Sequence, residues 1–189
     1  QQESRPRANL VFLLDVSGSM MAEDKLPLVT RSLRMMVDQM HPEDTVALVV
    51  YAGAAGVVLE PTAVTDKHKI VAALDQLRAG GSTAGGEGIE LAYSLAEQHF
   101  DKDAVNRVIL ATDGDFNVGV TNQDALEGLI TRQRDKGIYL SVLGFGQGNY
   151  NDSLMQTLAQ NGNGVAAYID TLNEARKVLV TEATSSLIP

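Results

Sequence analysis

No cysteine occurs among the 189 residues, so neither disulfides nor thiolate chemistry is available, and cysteine leaves the redox compartment unread. There is no run of Lys or Arg either, and acidic residues outnumber basic ones to give a formal net charge of -9. That balance argues against nucleic acid as a partner and against anionic lipid, both of which call for basic patches. The longest apolar run, TVALVVYAGAAGVVL at 45–59, is broken by glycines and falls short of the roughly 20 residues that a spanning helix needs. Direct membrane insertion by this segment is not expected. A G-K-[ST] phosphate loop is lacking, and GFGQGN at 144–149 fails the G-x-G-x-x-G test at Asn149.

What is present is an ordinary globular composition, 44% hydrophobic and 21% charged, in a chain long enough to bury a core without staples. Residues 1–8 lack an initiating Met and an apolar signal core. They read as an N-terminal extension to a single domain over 9–189, excised from a longer chain.

Short apolar runs alternate with helical patterns. NLVFLLD (9–15) reads as a buried strand, and Leu26, Val29, Leu33, Met36, Val37 and Met40 place one apolar face on a helix from about 24 to 40. TVALVVYA (45–52) is a second strand. The turn at 53–56 leads into an antiparallel edge strand, VVLEP, that Pro61 is expected to end. Asp66 is a candidate N-cap for a helix through Leu77 that Gly80 and Gly81 terminate, and STAGGEG (82–88) reads as a loop before a helix bearing Ile89, Ala92, Leu95 and Ala96. RVILATD (107–113) repeats the opening pattern of an apolar run ending in a carboxylate. Thr121 begins a near capping box for a helix that stops at Gly137, and strands at 138–146 and 165–170 flank and precede the last helices.

This alternation implies an α/β, doubly wound (Rossmann-like), mainly parallel six-stranded sheet with one antiparallel edge strand and helices on both faces. In such sheets the ligand crevice lies at the carboxyl ends of the strands, where the strand order reverses. Asp15 and Asp113 both end strands. With Ser17 and Ser19 spaced at i+2 and i+4 from Asp15, and Thr83 in the glycine-rich loop 80–86, five oxygen-bearing side chains would share one crevice. Ser82 neighbours Thr83 and offers a second hydroxyl. Such donors suit Mg²⁺, Mn²⁺ or Ca²⁺, and the scarcity of charged ligands favours Mg²⁺ or Mn²⁺; no Cys, and no His near these loops, speaks for zinc.

DVSGS, the Thr in a glycine-rich loop and ATDG, in that order along nearly the whole chain, resemble the metal-ion-dependent adhesion site (MIDAS) of the von Willebrand factor type A (VWA) family. GGSTAGGEGIELAY and NRVILATDGDFNVG most resemble its bacterial cell-envelope branch of YfbK-like proteins. The resemblance implies that Ser17 and Ser19 ligate the metal through their hydroxyls and that Thr83 does so directly or through water. Asp15 and Asp113 would act mainly through water and by holding the hydroxyls in place. It implies further an open position for an Asp or Glu carboxylate from a partner protein, a non-enzymatic adhesion role, and an extracytoplasmic location, whether secreted, periplasmic or lipid-anchored.

Plainer readings stand beside these. Asp15, Ser17 and Ser19 would also suit a turn with capping groups. Asp115 and Asn117 read as residues stabilising their own turn, Glu87 as a helix-dipole partner, and Met20 and Met21 as either a rim to the site or core. His41, His68 and His99 fit no ligand spacing. The alternative function is a metal-dependent phosphoryl-transfer hydrolase using Asp15 as nucleophile, although the second Asp that such enzymes carry two residues later is Ser17 here.

Overall fold

In the computed structural model of the chain, the described residues are 7–23, 25–51, 55–78, 85–112, 123–145, 152–164, 166–169 and 171–183. The elements run β1 (Ala8–Asp15), a 3-10 turn (Gly18–Met21), α1 (Leu26–Gln39), β2 (Thr45–Tyr51), β3 (Ala55–Ala63), α2 (Lys67–Asp75) and α3 (Gly85–Gln98). They continue with β4 (Val105–Thr112), α4 (Gln123–Lys136), β5 (Ile138–Phe145), α5 (Asp152–Asn161), β6 (Ala166–Ile169) and α6 (Leu172–Ala183). The sheet order is β3-β2-β1-β4-β5-β6, and only the β2–β3 pair is antiparallel. The doubly wound sheet expected from the alternation is the one observed, and its order reverses between β1 and β4.

Every residue of β1 is buried, because helices cover both faces of the sheet. Successive side chains of a strand point to opposite faces. Accordingly Leu10, Phe12 and Leu14 join a core with α1, α2 and α6, while Val11 and Leu13 join a second core with α3, α4 and α5. Burial on both sides explains why this strand reads as an unbroken apolar run.

Three boundaries depart from the sequence reading. Pro61 does not end β3, which continues to Ala63. The β2–β3 register slips between Val46 and Leu48 and again between Leu48 and Val49, so Pro61 falls in a bulged stretch of an edge strand, where a missing N–H costs no ladder bond. Helix α2 stops at Asp75, before Gly80, its end tightened by the Leu77 N–H to Leu74 carbonyl bond and capped by the Arg78 guanidinium, which donates to the carbonyls of Asp75 and Leu77. Asp66 occupies the α2 N-cap position but makes no side-chain cap bond.

Helix α3 starts at Gly85, inside the stretch read as loop. The reason is packing: a Cβ on Gly88 would lie 3.0 Å from Leu13 Cδ1 and 3.1 Å from Tyr51 Cβ, so glycine lets the helix seat against the ends of β1 and β2. Gly137, at φ +100°, ends α4 as expected. The near capping box at Thr121 lies outside the described residues.

Candidate metal centre

Strand β1 delivers Asp15 to the carboxyl end of the sheet, beside the β1/β4 switch point. The ladder to β2 runs one step further, with the Val16 N–H donating to the Tyr51 carbonyl at 3.0 Å, and the chain then leaves the sheet in the 3-10 turn. Ser17 is the N-cap of that turn in an extended conformation, yet its side chain caps nothing. Its hydroxyl instead donates to Asp15 Oδ1 at 2.6 Å and lies 3.1 Å from Ser19 Oγ. The Ser17 N–H also donates to Asp15 Oδ1, at 2.9 Å, and the Thr112 hydroxyl donates to Asp15 Oδ2 at 3.1 Å from the end of β4.

The three expected oxygens at 15, 17 and 19 are therefore brought together, and they are graded toward solvent. Asp15 is 0% exposed, Ser17 4%, and Ser19 lies in the open. At Ser17 the side chain makes no cap bond: its hydroxyl donates to Asp15, so toward Ser19 its oxygen acts as the acceptor. The donor set is hydroxyl and carboxylate oxygen, the chemistry that hard divalent cations take. Among the described residues no three His, Cys, Asp or Glu side chains gather.

Thr83, Asp113, Ser82, Asp115 and Asn117 lie outside the described residues. Of these, Asp113 directly follows a described residue: β1 and β4 pair in parallel with Leu14 opposite Ala111, which sets Asp15 level with Thr112, the residue before Asp113. Thr112 joins the candidate site through its bond to Asp15, and the ATD triplet holds the signal for it, a hydroxyl one step from a strand-ending Asp. Met20 is fully buried in the core, whereas Met21 is 70% exposed. The three histidines fall where α1 ends, α2 begins and α3 ends, at the opposite pole of the sheet.

The profile of the von Willebrand factor type A domain matches residues 9–181. The chain belongs to the VWA family. It is 46% identical over 188 residues to the uncharacterized protein YfbK of Escherichia coli, covering 100% of this chain and 33% of YfbK. This VWA chain thus spans about a third of that relative's length. In fold it is similar to a von Willebrand factor type A structure from Catenulispora acidiphila, with a TM-score of 0.80 at 19% identity, covering 96% of this chain and 43% of that one. It is also similar to proximal thread matrix protein 1 of the mussel byssus with a zinc-occupied MIDAS motif (TM-score 0.75, 22% identity, covering 97% of this chain and 46% of that one). A further likeness is to the manganese-loaded TRAP protein of Plasmodium vivax (TM-score 0.74, 20% identity, covering 95% and 74%). No helix among the described residues is long and apolar enough to cross a membrane.

Proposed function

We propose that this VWA domain is a metal-dependent protein-binding module. Ser17 and Ser19 would hold a divalent cation through their hydroxyls, Thr83 would contribute directly or through water, and Asp15 and Asp113 would orient the hydroxyls and bound water. A cation so held would supply an electrophilic position for one further anion, because two protein carboxylates only balance its charge and the direct ligands are neutral. That position suits an Asp or Glu side chain of a partner protein, in the manner of adhesion. The observation that carries the reading is the Ser17 hydroxyl, which ignores the turn it caps and is pinned between Asp15 and Ser19.

Mg²⁺ or Mn²⁺ fits this sparse, hydroxyl-rich set better than Ca²⁺, which takes more oxygens. The manganese and zinc held by the two similar VWA structures support a divalent ion in general, and the zinc case weakens the inference that missing Cys and His argue against zinc. An extracytoplasmic envelope location, which the resemblance to the YfbK-like branch implies, is part of the same proposal.

The hydrolase reading asks Asp15 to attack a phosphoryl group. Asp15 is fully buried and both of its oxygens accept hydrogen bonds, an arrangement suited to orienting neighbours and unsuited to in-line attack. Capture of envelope proteins on the immobilised domain, in Mg²⁺ and in chelator, tests the proposal. Bound partners should be released by chelator and missed by Ser17→Ala; a bound set indifferent to both contradicts it. Turnover of a generic phosphate ester that Asp15→Ala abolishes would restore the hydrolase.

A further inference from the structure

A cleft of about 440 Å³ opens directly beside the candidate metal centre, walled by Met20, Met21, Leu26, Pro27, Leu74 and Leu77. Its position follows from the topology. The 3-10 turn carrying Met20 and Met21 begins one residue after Ser17 and contains Ser19, and α1 starts just beyond it with Leu26 and Pro27. Strand β3 runs antiparallel to β2, so α2 climbs back toward the carboxyl end of the sheet, and Leu74 and Leu77 sit at its upper end. The cleft therefore lies between the 3-10 turn that holds Ser19 and the end of α2.

We infer that this cleft is the second half of the partner-binding surface. It takes a large apolar side chain, such as leucine, from the same acidic segment whose carboxylate meets the metal. This inference rests on the metal reading above. Three observations single out that occupant. Consecutive Cα atoms are about 3.8 Å apart and an extended peptide advances about 3.3 Å per residue, so a side chain one to three positions from the acidic residue lies within about 10 Å of it, on the scale of the step along the chain from Ser19 to Met20 and Met21. Met21 is 70% exposed at the rim, a flexible thioether able to fold over an apolar guest. The charge of the lining also suits an acidic segment: Asp75 pairs with Arg34 at 3.1 Å, whereas Arg78 donates to carbonyls and keeps its positive charge at the cleft.

The test uses methyl-¹³C methionine spectra of the domain and capped heptapeptides with one aspartate and a leucine one, two or three positions away. Counterparts replace that leucine by glycine or the aspartate by asparagine. Mn²⁺ alone should broaden the Met20 and Met21 methyl signals, reporting the metal site independently of any peptide. In Mg²⁺ the best leucine peptide should shift both signals and bind roughly tenfold or more tightly than its glycine counterpart. Thr30→Phe, which fills the cleft from α1, and Leu77→Ser, which makes its wall polar, should each erase the leucine preference while leaving the Mn²⁺ broadening intact. Intact broadening with equal affinity for leucine and glycine peptides overturns the cleft proposal alone. Absence of both broadening and metal-dependent binding overturns the metal reading and the cleft proposal with it.

Discussion

Strands β1 and β4 carry buried polar side chains at both of their ends, and the two ends treat them differently. At the amino end Asn9 donates to the His99 carbonyl and to Asn106 Oδ1 and accepts from Thr45 and Arg7, while Asn106 donates to the carbonyls of Asp101 and Ala104. Asp44, fully buried, accepts the N–H groups of Ala8 and His41. Each group there is spent on its neighbours, as buried polar groups ordinarily are. At the carboxyl end Asp15 is equally buried, but the chain of hydroxyls it starts runs outward, through buried Ser17 to exposed Ser19. Satisfied inward, polar groups fix the fold; converging outward, they make a site.

The comparison can be broken most forcefully at the amino end. Asp44→Ala leaves the buried Ala8 N–H and the half-buried His41 N–H without their acceptor and should destabilise by about 2–4 kcal/mol, read as a lower midpoint in urea. Its metal response, relative to chelator, should be unchanged. Gly88→Val comes next: its Cβ would crowd Leu13 and Tyr51, costing about 1–3 kcal/mol by overpacking. Because α3 starts two residues after Thr83, this variant should also weaken metal affinity in calorimetric titration, which Asp44→Ala should not.

Thr112→Val removes the hydroxyl that holds Asp15 Oδ2 and should cost only about 1 kcal/mol in chelator, yet lower metal affinity by roughly 10-fold or more. Equal affinities would blur the distinction between the two ends. The smallest effect concerns Glu97, whose carboxyl is held below the ordinary range by hydrogen bonds from Lys136 and then Gln133. A depressed folded value means stability present above the unfolded value and lost as pH falls through the folded one. Lys136→Met should return the Glu97 midpoint toward the ordinary range in an NMR titration, with no change at the metal centre.

The sheet was legible because its signal is redundant. Six apolar runs, each too short for a helix and each separated by helical periodicity, admit few topologies, and the right-handed crossover rule selects among them. At the candidate site Asp15, Ser17 and Ser19 were legible as a group because five consecutive residues, from the end of β1 into the 3-10 turn, carry all three, whereas Thr83 and Asp113 lie outside the described residues. What escaped depends on contacts distant in sequence. Nothing local tells that Gly88 must meet Leu13 and Tyr51, so the start of α3 read as loop. Nothing local tells that Pro61 falls beside a register slip, so β3 read as ending early. Thr112 was hidden by its role, since it acts through Asp15 and not on its own.

Thermal melting in Mg²⁺ or Mn²⁺ against chelator, for the wild type and Ser17→Ala, tests the metal centre most directly. A ligand at a hundredfold excess over its Kd stabilises the native state by about 2.7 kcal/mol, which for a domain of this size raises Tm by roughly 5–10 °C. The wild type should show that rise and Ser17→Ala should lose it, with the two melting within a few degrees of each other in chelator. A wild-type midpoint indifferent to every divalent ion, or a shift that Ser17→Ala retains in full, would contradict the account.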